Sequence, residues 1–444
     1  MRLKKSNYNM EIDKLKDESI LLYNSFASSF GILDKSTQKT YENIEDINIE
    51  DIKDRILYEN INTMKESGFL IEEDVDELKM LKILRDMTKY DRSTLEVVIA
   101  PTFSCNMKCP YCFEQEDQIN MSEEICDSVV EFIKYNLIKT KHLKVTWYGG
   151  EPLLEMEIIL RISEKLILFC NENNIKYTSI IITNGVLLTA ETAQILKEKC
   201  NLTHAQVTID GMPEFHNSRR VLKSGQDSFK TIIDNINSIK EIIGVIVRTN
   251  IDKNNYNNYI ELVNYFINEN QWKDKVHFYF NLIDLEAKKD IAYNKDNCFF
   301  EKNYSRALID LIKEVNKTIN GNIILEHLPK TRLTACGACN YNNFGIDPLG
   351  NIYKCVISMG DKSKSIGKVK DFTNTLNAKH SIWLTEEIPN NCLKCELLPL
   401  CQGGCIAKRE KNDSVLEYCL KKKVNIKEIL KLYYDEYSKV SAEI

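Results

Sequence analysis

The sequence predicts an α/β fold with a mostly parallel sheet built from strand–helix repeats. Short apolar segments rich in Val, Ile, Tyr and Thr alternate with amphipathic stretches from about residue 95 to residue 283. A unit with a different pattern precedes this region, and a cysteine-rich region follows it. Continuous apolar strands separated by helices are typical of a parallel sheet covered by helices, either a partial barrel or an open doubly wound sheet.

Residues 1–90 are predicted to form a separate unit. Short strands at Ser19–Asn24 and Gly31–Asp34 flank a turn, and a helix at Glu50–Lys65 precedes a strand at Gly68–Ile71. Strand, strand, helix and strand in so short a length favour a small winged-helix-like module. A structural extension that only covers the sheet is the alternative.

The central repeats supply six strands and five helices. The predicted strands are Leu95–Ala100, Lys144–Tyr148, Ser179–Thr183, Ala205–Ile209, Val245–Thr249 and Val276–Leu282. The predicted helices are Ser122–Leu137, Leu154–Asn174, Glu191–Lys199, Ser228–Lys240 and Tyr256–Asn268. Functional residues in such folds lie on loops at the carboxyl ends of strands. After the repeats we expect a helix at Tyr304–Asn316, a hairpin at Phe344–Cys355 and a closing helix at Val424–Val440.

Eleven of the 15 cysteines fall into two groups whose spacing suits iron–sulfur clusters. The first is Cys105-x3-Cys109-x2-Cys112, directly after the first predicted strand. Three thiolates would leave one iron of a four-iron cluster open to a small molecule, so this group is interpreted as catalytic. The second group could fully ligate two clusters and comprises Cys336, Cys339, Cys355, Cys392, Cys395, Cys401, Cys405 and Cys419.

Zinc binding and burial as small hydrophobic residues are the alternative roles for the cysteines. Two four-cysteine zinc sites would consume the second group equally well. Zinc suits the first group poorly, because that group lacks a nearby fourth cysteine or histidine. Cys126, Cys170, Cys200 and Cys298 are isolated in sequence and are interpreted as small buried hydrophobic residues.

Composition and charge exclude several classes of partner. The net charge is −6 with interspersed Lys and Glu, which leaves no basic surface for nucleic acid. The N-terminal residues lack the apolar stretch of a signal peptide, and no apolar run is long enough to cross a bilayer. We therefore expect a cytoplasmic protein with no membrane partner, in which clustered cysteines bind metal more often than they form disulfides.

With these elements placed, the sequence resembles the radical S-adenosylmethionine superfamily, and within it the enzymes that carry a SPASM domain. The cysteine trio with Tyr111 before its third member matches the superfamily signature. The run Gly149, Gly150, Glu151 and Pro152 resembles the motif that holds the amino group of S-adenosylmethionine. Thr208 through Gly211 and His216 to Arg220 resemble the segment that contacts the carboxylate and ribose of that cofactor, so Thr208 and Arg220 are predicted contacts.

The cysteine-rich region reproduces the SPASM pattern, with Gly350-x4-Cys355, then C-x2-C-x5-C-x3-C from Cys392, then Cys419. The resemblance implies that the first auxiliary cluster is held by Cys336, Cys339, Cys355 and Cys405. The second would be held by Cys392, Cys395, Cys401 and Cys419. It also implies four regions: a module at 1–90, a partial (β/α)6 TIM-like barrel at 91–320, a SPASM domain at 321–425 and a C-terminal helix at 426–444.

The resemblance implies three [4Fe–4S] clusters and S-adenosyl-L-methionine as cofactors. The open iron of the first cluster would bind the cofactor, and an electron from the cluster would cleave it. The resulting 5′-deoxyadenosyl radical would abstract a hydrogen atom from the substrate. The fully ligated clusters would relay an electron away from the substrate radical or support the fold. A flavodoxin- or ferredoxin-type protein is the expected electron donor.

Two substrate classes fit the family, and a third reading lies outside it. Maturases that form thioether or carbon–carbon crosslinks in ribosomally made peptides often carry an N-terminal winged-helix module that binds a leader peptide. Anaerobic sulfatase-maturating enzymes usually have Asp after the G-x4-C cysteine, whereas Val356 stands here and cannot accept a proton. We therefore expect a peptide maturase whose partner is a precursor peptide with a leader segment. A non-catalytic iron–sulfur or zinc protein is the alternative from another class.

Overall fold

The structure, a computed structural model, describes residues 2–112, 118–273, 275–283, 294–299, 301–319, 329–374, 376–409 and 426–436. The strands are β1 (Leu3–Lys5), β2 (Asn9–Lys14), β3 (Ile20–Asn24), β4 (Ser29–Leu33), β5 (Leu70–Glu72), β6 (Thr94–Ile99), β7 (His142–Trp147), β8 (Lys176–Thr183), β9 (Leu202–Thr208), β10 (Gly244–Ile251), β11 (Val276–Leu282), β12 (Asn343–Ile346), β13 (Asn351–Tyr353) and β14 (Gly367–Lys368).

Helices are present at the predicted positions, and further helices that the sequence did not predict accompany them. They are α1 (Lys35–Glu42), α2 (Arg55–Glu66), α3 (Glu77–Lys89), α4 (Glu123–Asn136), α5 (Met156–Glu172), α6 (Ala190–Cys200), α7 (Pro213–Arg219), α8 (Phe229–Ile239), α9 (Asn258–Asn264), α10 (Glu301–Ile319), α11 (Ala378–Leu384), α12 (Leu398–Cys401), α13 (Ile406–Arg409) and α14 (426–436). Within the described ranges, none of them is both long and apolar enough to cross a bilayer.

The central sheet confirms the predicted α/β class. Strands β6 to β11 lie side by side in chain order, and each pair is parallel. In β10, for example, part-buried and buried side chains alternate along the whole strand, because one face of the sheet packs against the helices. The largest apolar core lies between these strands and the helices that connect them.

The predicted hairpin is present, and it extends the central sheet. Strand β12 pairs in parallel with β6, and Gly345 lies opposite Tyr353 in the antiparallel β12–β13 pair. Strand β14 then pairs with β13. The cysteine-rich region is therefore continuous with the sheet that carries the first cysteine group, a connection that short-range sequence patterns do not reveal.

The N-terminal region contains more elements than the sequence predicted. Strands β2, β3 and β4 form an antiparallel sheet, and β1 pairs with β5. The predicted strands at Ser19–Asn24 and Gly31–Asp34 correspond to β3 and β4. Helix α3, which the sequence analysis did not predict, connects this region to the central sheet.

The N-terminal region also packs against the cysteine-rich region. Ser25 donates a 2.5 Å hydrogen bond to the carbonyl oxygen of Glu396, and Tyr23 donates to the carbonyl oxygen of Pro329. Side chains of the small sheet share an apolar cluster with Leu397, Leu400 and α14. Removing residues 1–90 would therefore expose buried surface on the remainder of the chain.

Candidate functional site

The first cysteine group lies on the loop that follows β6. Cys105 and Cys109 are half-buried, and Cys112 is exposed. Burial raises the pKa of the Cys105 thiol, whereas the hydrogen bond that its sulfur accepts from the backbone N–H of Met107 opposes this rise. The sulfurs of Cys105 and Cys109 also interact electrostatically, so two of the three predicted ligands are near neighbours.

A second segment of the chain anchors this loop from the other side. The N–H of Lys108 donates a 2.8 Å hydrogen bond to the carbonyl oxygen of Val221, and the N–H of Lys223 donates a 2.8 Å bond to Asn106. The Asn184 amide also donates a 2.6 Å bond to the Asn106 side chain. The cysteine loop is thus fixed to the segment that follows the predicted contact Arg220.

The predicted Gly149–Pro152 turn packs directly beneath the cysteine loop. A side chain at Gly150 would place its Cβ 2.2 Å from the carbonyl oxygen of Ser104, and one at Gly149 would place it 2.4 Å from that of Thr102. Gly149 also has a φ of +118°, which favours glycine. The N–H of Gly150 donates a 3.1 Å hydrogen bond to the carbonyl oxygen of Thr102, and the N–H of Glu151 donates a 2.8 Å bond to that of Ser104.

Glu151 is fully buried, and its carboxylate accepts hydrogen bonds from the protein itself. Thr183 Oγ1 donates at 2.7 Å and the N–H of Asn184 at 2.8 Å, while the N–H of Leu153 donates at 3.1 Å. Burial raises the pKa of Glu151 despite these donors. The structure therefore shows the carboxylate joining the ends of β7 and β8, whereas the sequence analysis considered it as a ligand for an ammonium group.

Tyr111, inside the cysteine motif, connects to the segment predicted to bind the cofactor. Its hydroxyl donates to the carboxylate of Asp210, and Arg220 Nη1 donates a 2.9 Å hydrogen bond to the same hydroxyl. Burial and the Asp210 charge raise the pKa of Tyr111. The Arg219 guanidinium lies 5.0 Å from the centre of the Tyr111 ring. Sequence reasoning placed Asp210 and Arg220 in one segment but did not reveal this network.

Arg220 is almost fully buried, and its Nε has no hydrogen-bond partner among the residues that the structure describes. A buried guanidinium with a spare donor suits a carboxylate or hydroxyl group of a ligand. His216 fixes the backbone at this point through Ser228, which lies 3.1 Å from His216 Nε2 and donates a 3.1 Å hydrogen bond to the Arg220 carbonyl oxygen. Burial, followed by the charges of Arg220 and Arg219, lowers the pKa of His216. Thr208 ends β9 at the same edge of the sheet.

Four cysteines of the second group are electrostatic neighbours. A hydrogen bond between the two thiols lowers the pKa of Cys339 and raises that of Cys336, because one sulfur holds the proton for both. Burial raises the pKa of Cys355, and the nearby Cys405 adds to this rise and also acts on Cys336. These are the four thiols predicted to hold the first auxiliary cluster.

The second predicted set lies next to the N-terminal region. Cys392 and Cys395 follow one another in a turn, where the N–H of Cys395 donates a 3.0 Å hydrogen bond to the Cys392 carbonyl oxygen. Both share an apolar cluster with Tyr8 and Leu398. Cys401 ends α12, and Cys419 lies outside the described residues.

Across the described part of the chain, no three His, Cys, Asp or Glu side chains surround a common point as they would around a single metal ion. A four-iron cluster differs in that each thiolate binds a different iron, so its ligands do not converge on one point. The isolated cysteines Cys126, Cys170, Cys200 and Cys298 are buried, as predicted.

Comparison with known proteins agrees with this site. Residues 99–266 match the family model of the Radical SAM superfamily. The chain is 25% identical over 402 residues to the radical SAM cyclopropyl synthase TigE of Paramaledivibacter caminithermalis, a match that covers 81% of this chain and 78% of the relative. It is 28% identical over 363 residues to a cysteine-type anaerobic sulfatase-maturating enzyme of Clostridium perfringens, covering 73% of this chain and 93% of that enzyme.

A solved structure supports the same assignment. Native anSMEcpe with bound AdoMet and Kp18Cys peptide superposes with a TM-score of 0.63 at 25% identity, covering 79% of this chain and all of the other. Residues 99–266 therefore match a radical SAM domain, and the predicted resemblance to SPASM-type radical SAM maturases is confirmed. Homologues in this superfamily are enzymes that use a [4Fe–4S] cluster and S-adenosylmethionine.

Proposed function

We propose that this chain is a radical S-adenosylmethionine peptide maturase that forms a thioether, or a carbon–carbon, crosslink in a ribosomally made precursor peptide. The proposal of crosslinking rather than formylglycine formation rests on Val356. Its side chain packs against an apolar cluster that contains Phe103 and Met359, close to the cysteine loop. A valine in this environment cannot serve as the base that formylglycine formation requires.

The central sheet supports the proposed partial (β/α)6 barrel. Its six parallel strands follow chain order, and right-handed crossovers in one direction place successive helices on one face. A doubly wound sheet would instead reverse strand order near its middle. We assign residues 1–90 to a winged-helix-like module, 91–320 to the barrel, 321–425 to a SPASM domain and 426–444 to a C-terminal helix.

The first cluster would be held by Cys105, Cys109 and Cys112, whose loop is fixed on both sides by backbone hydrogen bonds. When bound, the cluster and S-adenosylmethionine supply a carbon-centred radical that removes a hydrogen atom from the substrate. The Gly149-Gly150 turn lets the backbone approach this loop closely. Arg220 offers its buried Nε to the carboxylate or ribose of the cofactor. Glu151 and Pro152 shape the turn, and Thr208 lies at the same sheet edge.

We assign the two auxiliary clusters as the family pattern implies. Cys336, Cys339, Cys355 and Cys405 would hold the first, which the mutual influence of their thiols supports. Cys392, Cys395, Cys401 and Cys419 would hold the second. These fully ligated clusters would accept an electron from the substrate radical. A flavodoxin- or ferredoxin-type donor would reduce the catalytic cluster in the cytoplasm.

The N-terminal sheet offers a place for the leader peptide. Strand β4 is at one end of the β2-β3-β4 order and pairs with β3, and Ile32 on it is 53% exposed. The opposite edge strand β2 carries an irregularity between Glu11 and Asp13, a feature that discourages strand pairing. A leader added beside β4 would gain main-chain hydrogen bonds and leave the core peptide free to reach the barrel.

Mass spectrometry of peptides tests this proposal. Reconstituted, reduced protein is incubated without oxygen with S-adenosylmethionine and with synthetic peptides that match any short cysteine-containing reading frame next to the gene of this chain. A thioether should remove a pair of hydrogen atoms and one alkylatable thiol, whereas a carbon–carbon crosslink should leave the thiol count unchanged. One relative is described as a radical SAM cyclopropyl synthase, so formation of a carbon–carbon bond is tested as well.

A second candidate is sulfatase maturation, favoured by the 93% coverage of the sulfatase-maturating enzyme. It predicts that a cysteine in a sulfatase-derived peptide loses its sulfur and becomes an aldehyde. A non-catalytic iron–sulfur or zinc protein would yield neither 5′-deoxyadenosine nor a changed peptide, and a metal assay distinguishes iron from zinc.

A further inference from the structure

Helix α3 buries two cations on the same side as the apolar Leu81 and exposes several apolar side chains. It buries Arg85 and Lys89, which are 5% and 2% exposed. On its outer side Met80, Ile83 and Met87 are 45%, 59% and 67% exposed. Lysine and arginine are almost never fully buried without a compensating partner. The buried cations therefore require an anionic counterpart in the interior toward which they point.

Lys354 is a third buried cation, and it lies in the cysteine-rich region, directly after β13. It precedes Cys355 and is 2% exposed. Its ammonium donates hydrogen bonds of 2.5 Å and 2.6 Å to the carbonyl oxygens of Asn340 and Asn343, just beyond Cys339. It also lies 4.8 Å from the centre of the Phe344 ring. Lys354 is thus held rigidly beside the segment that carries Cys339.

Backbone contacts bring α3 to this segment as well. The N–H of Tyr341 donates a 2.7 Å hydrogen bond to the carbonyl oxygen of Lys89. The Lys89 ammonium donates a 2.5 Å bond to the carbonyl oxygen of Leu384, and Arg85 donates to the Glu386 carbonyl oxygen at 2.9 Å. Arg85 is also 3.2 Å from the Glu386 carboxylate, which offsets part of its charge.

In the described part of the chain, the hydrogen bonds of the Lys89 and Lys354 ammonium groups go to backbone carbonyl oxygens rather than to carboxylates. Burial lowers the pKa values of Lys89 and Arg85, and the sulfur of Cys339 opposes both shifts. The backbone of Lys89 and the ammonium of Lys354 are therefore both fixed against the segment that follows Cys339, and Arg85 lies one turn before Lys89 on the buried side of α3.

We propose that Arg85, Lys89 and Lys354 form a buried cationic shell around Cys339 that favours the reduced state of the first auxiliary cluster. This inference rests on the proposed assignment of that cluster to Cys336, Cys339, Cys355 and Cys405. One electron enters the cluster on reduction and no bond forms or breaks, so the negative charge of the cluster grows by that electron. Fixed positive charge in a poorly solvated site favours the more negative state.

The shell suits an electron acceptor. A substrate-derived radical gives up its electron more readily to a cluster whose reduction is favoured. Lys89 and Arg85 belong to the N-terminal region, so the segment assigned to peptide binding also sets the charge around the cluster. These residues are positioning residues, because they act through the cluster and contact no reacting atom.

The test is a potentiometric titration followed by electron paramagnetic resonance. The background is full-length protein with Cys105, Cys109 and Cys112 replaced by Ala, because this variant lacks the signal of the catalytic cluster. Lys89→Met and Lys354→Met are compared in this background with Lys379→Met. Lys379 is an exposed lysine that likewise donates to two backbone carbonyl oxygens, those of Ser363 and Ser365, and serves as the matched control. Lys89→Arg keeps the charge.

We expect Lys89→Met and Lys354→Met each to lower the midpoint potential of one auxiliary cluster by about 59 mV or more. This shift corresponds to a tenfold change in the one-electron reduction equilibrium. Lys379→Met should leave it unchanged, and Lys89→Arg should restore most of the shift. Full iron content with unchanged potentials in Lys89→Met overturns the shell, even if Lys354→Met fails to fold. Absence of iron in the parent overturns the cluster assignment itself, so the two failures are distinguishable.

Discussion

Thr183 Oγ1 donates a 2.7 Å hydrogen bond to the buried carboxylate of Glu151, joining the turn after β7 to the end of β8. The N–H of Asn184 binds the second carboxylate oxygen. Glu151 therefore holds together the two loops on which the cysteine loop rests. Glu151 thus has a structural role within the Gly149–Pro152 motif that does not depend on direct contact with a ligand.

Replacing Glu151 by Gln should destabilise the protein. An amide nitrogen would face an N–H or hydroxyl donor in a buried site, which costs about 1–3 kcal/mol. Urea unfolding of the protein should show this loss, whereas Glu157→Gln, at an exposed position on α5, should unfold like the parent. Equal stability of the Glu151→Gln variant would show that the carboxylate is not needed to join the strands.

Replacing Cys105, Cys109 and Cys112 together by Ala should abolish formation of 5′-deoxyadenosine. Iron content should fall from about twelve to about eight atoms per chain, because the two auxiliary clusters remain. Cys170→Ala, at a buried and isolated cysteine, should keep the full iron content. Zinc in the remaining sites, or continued cleavage of S-adenosylmethionine, would contradict the assignment.

Cys401→Ala should separate the two parts of the reaction. The catalytic cluster is untouched, so some 5′-deoxyadenosine should form, but the route that carries the electron away from the substrate radical would be interrupted and little crosslinked peptide should appear. Chromatography and mass spectrometry of the same reaction measure both products. Normal crosslinking by this variant would show that the second auxiliary cluster is dispensable.

Tyr111→Phe should weaken binding of S-adenosylmethionine by about tenfold, because Asp210 and Arg220 lose the hydroxyl between them. Iron content should not change, since the cysteines remain. Equilibrium binding to the reconstituted protein measures the effect, and Tyr58→Phe, at a tyrosine 44% exposed on α2, is the control. Unchanged affinity would place the network outside the cofactor site.

Ile32→Lys should reduce affinity for the precursor peptide while cleavage of S-adenosylmethionine continues. Ile32 lies on the edge strand β4, and a lysine there discourages strand pairing. Ile382→Lys on α11 has the same 53% exposure and should bind the peptide normally. Fluorescence anisotropy with labelled peptide compares the two variants. Point variants are preferable to deleting residues 1–90, which pack against the cysteine-rich region. Equal affinities would remove β4 from peptide recognition.

The sequence predicted the six central strands and the position of the cysteine loop, because apolar periodicity and cysteine spacing are local features. It did not predict that Glu151 is satisfied by Thr183 and Asn184, since those partners come from another strand. Helix α3 was missed because it buries the cations Arg85 and Lys89 beside Leu81 and exposes Ile83, which obscures the usual amphipathic pattern. Long-range pairing, such as β12 with β6, likewise has no local signal.

The most direct test of radical-dependent peptide crosslinking is one anaerobic reaction in which 5′-deoxyadenosine and the mass of the precursor peptide are measured together. The protein should form 5′-deoxyadenosine and a peptide that has lost a pair of hydrogen atoms, and the variant lacking Cys105, Cys109 and Cys112 should form neither. A peptide that instead loses the sulfur of one cysteine, or a crosslinked peptide without 5′-deoxyadenosine, would contradict this account.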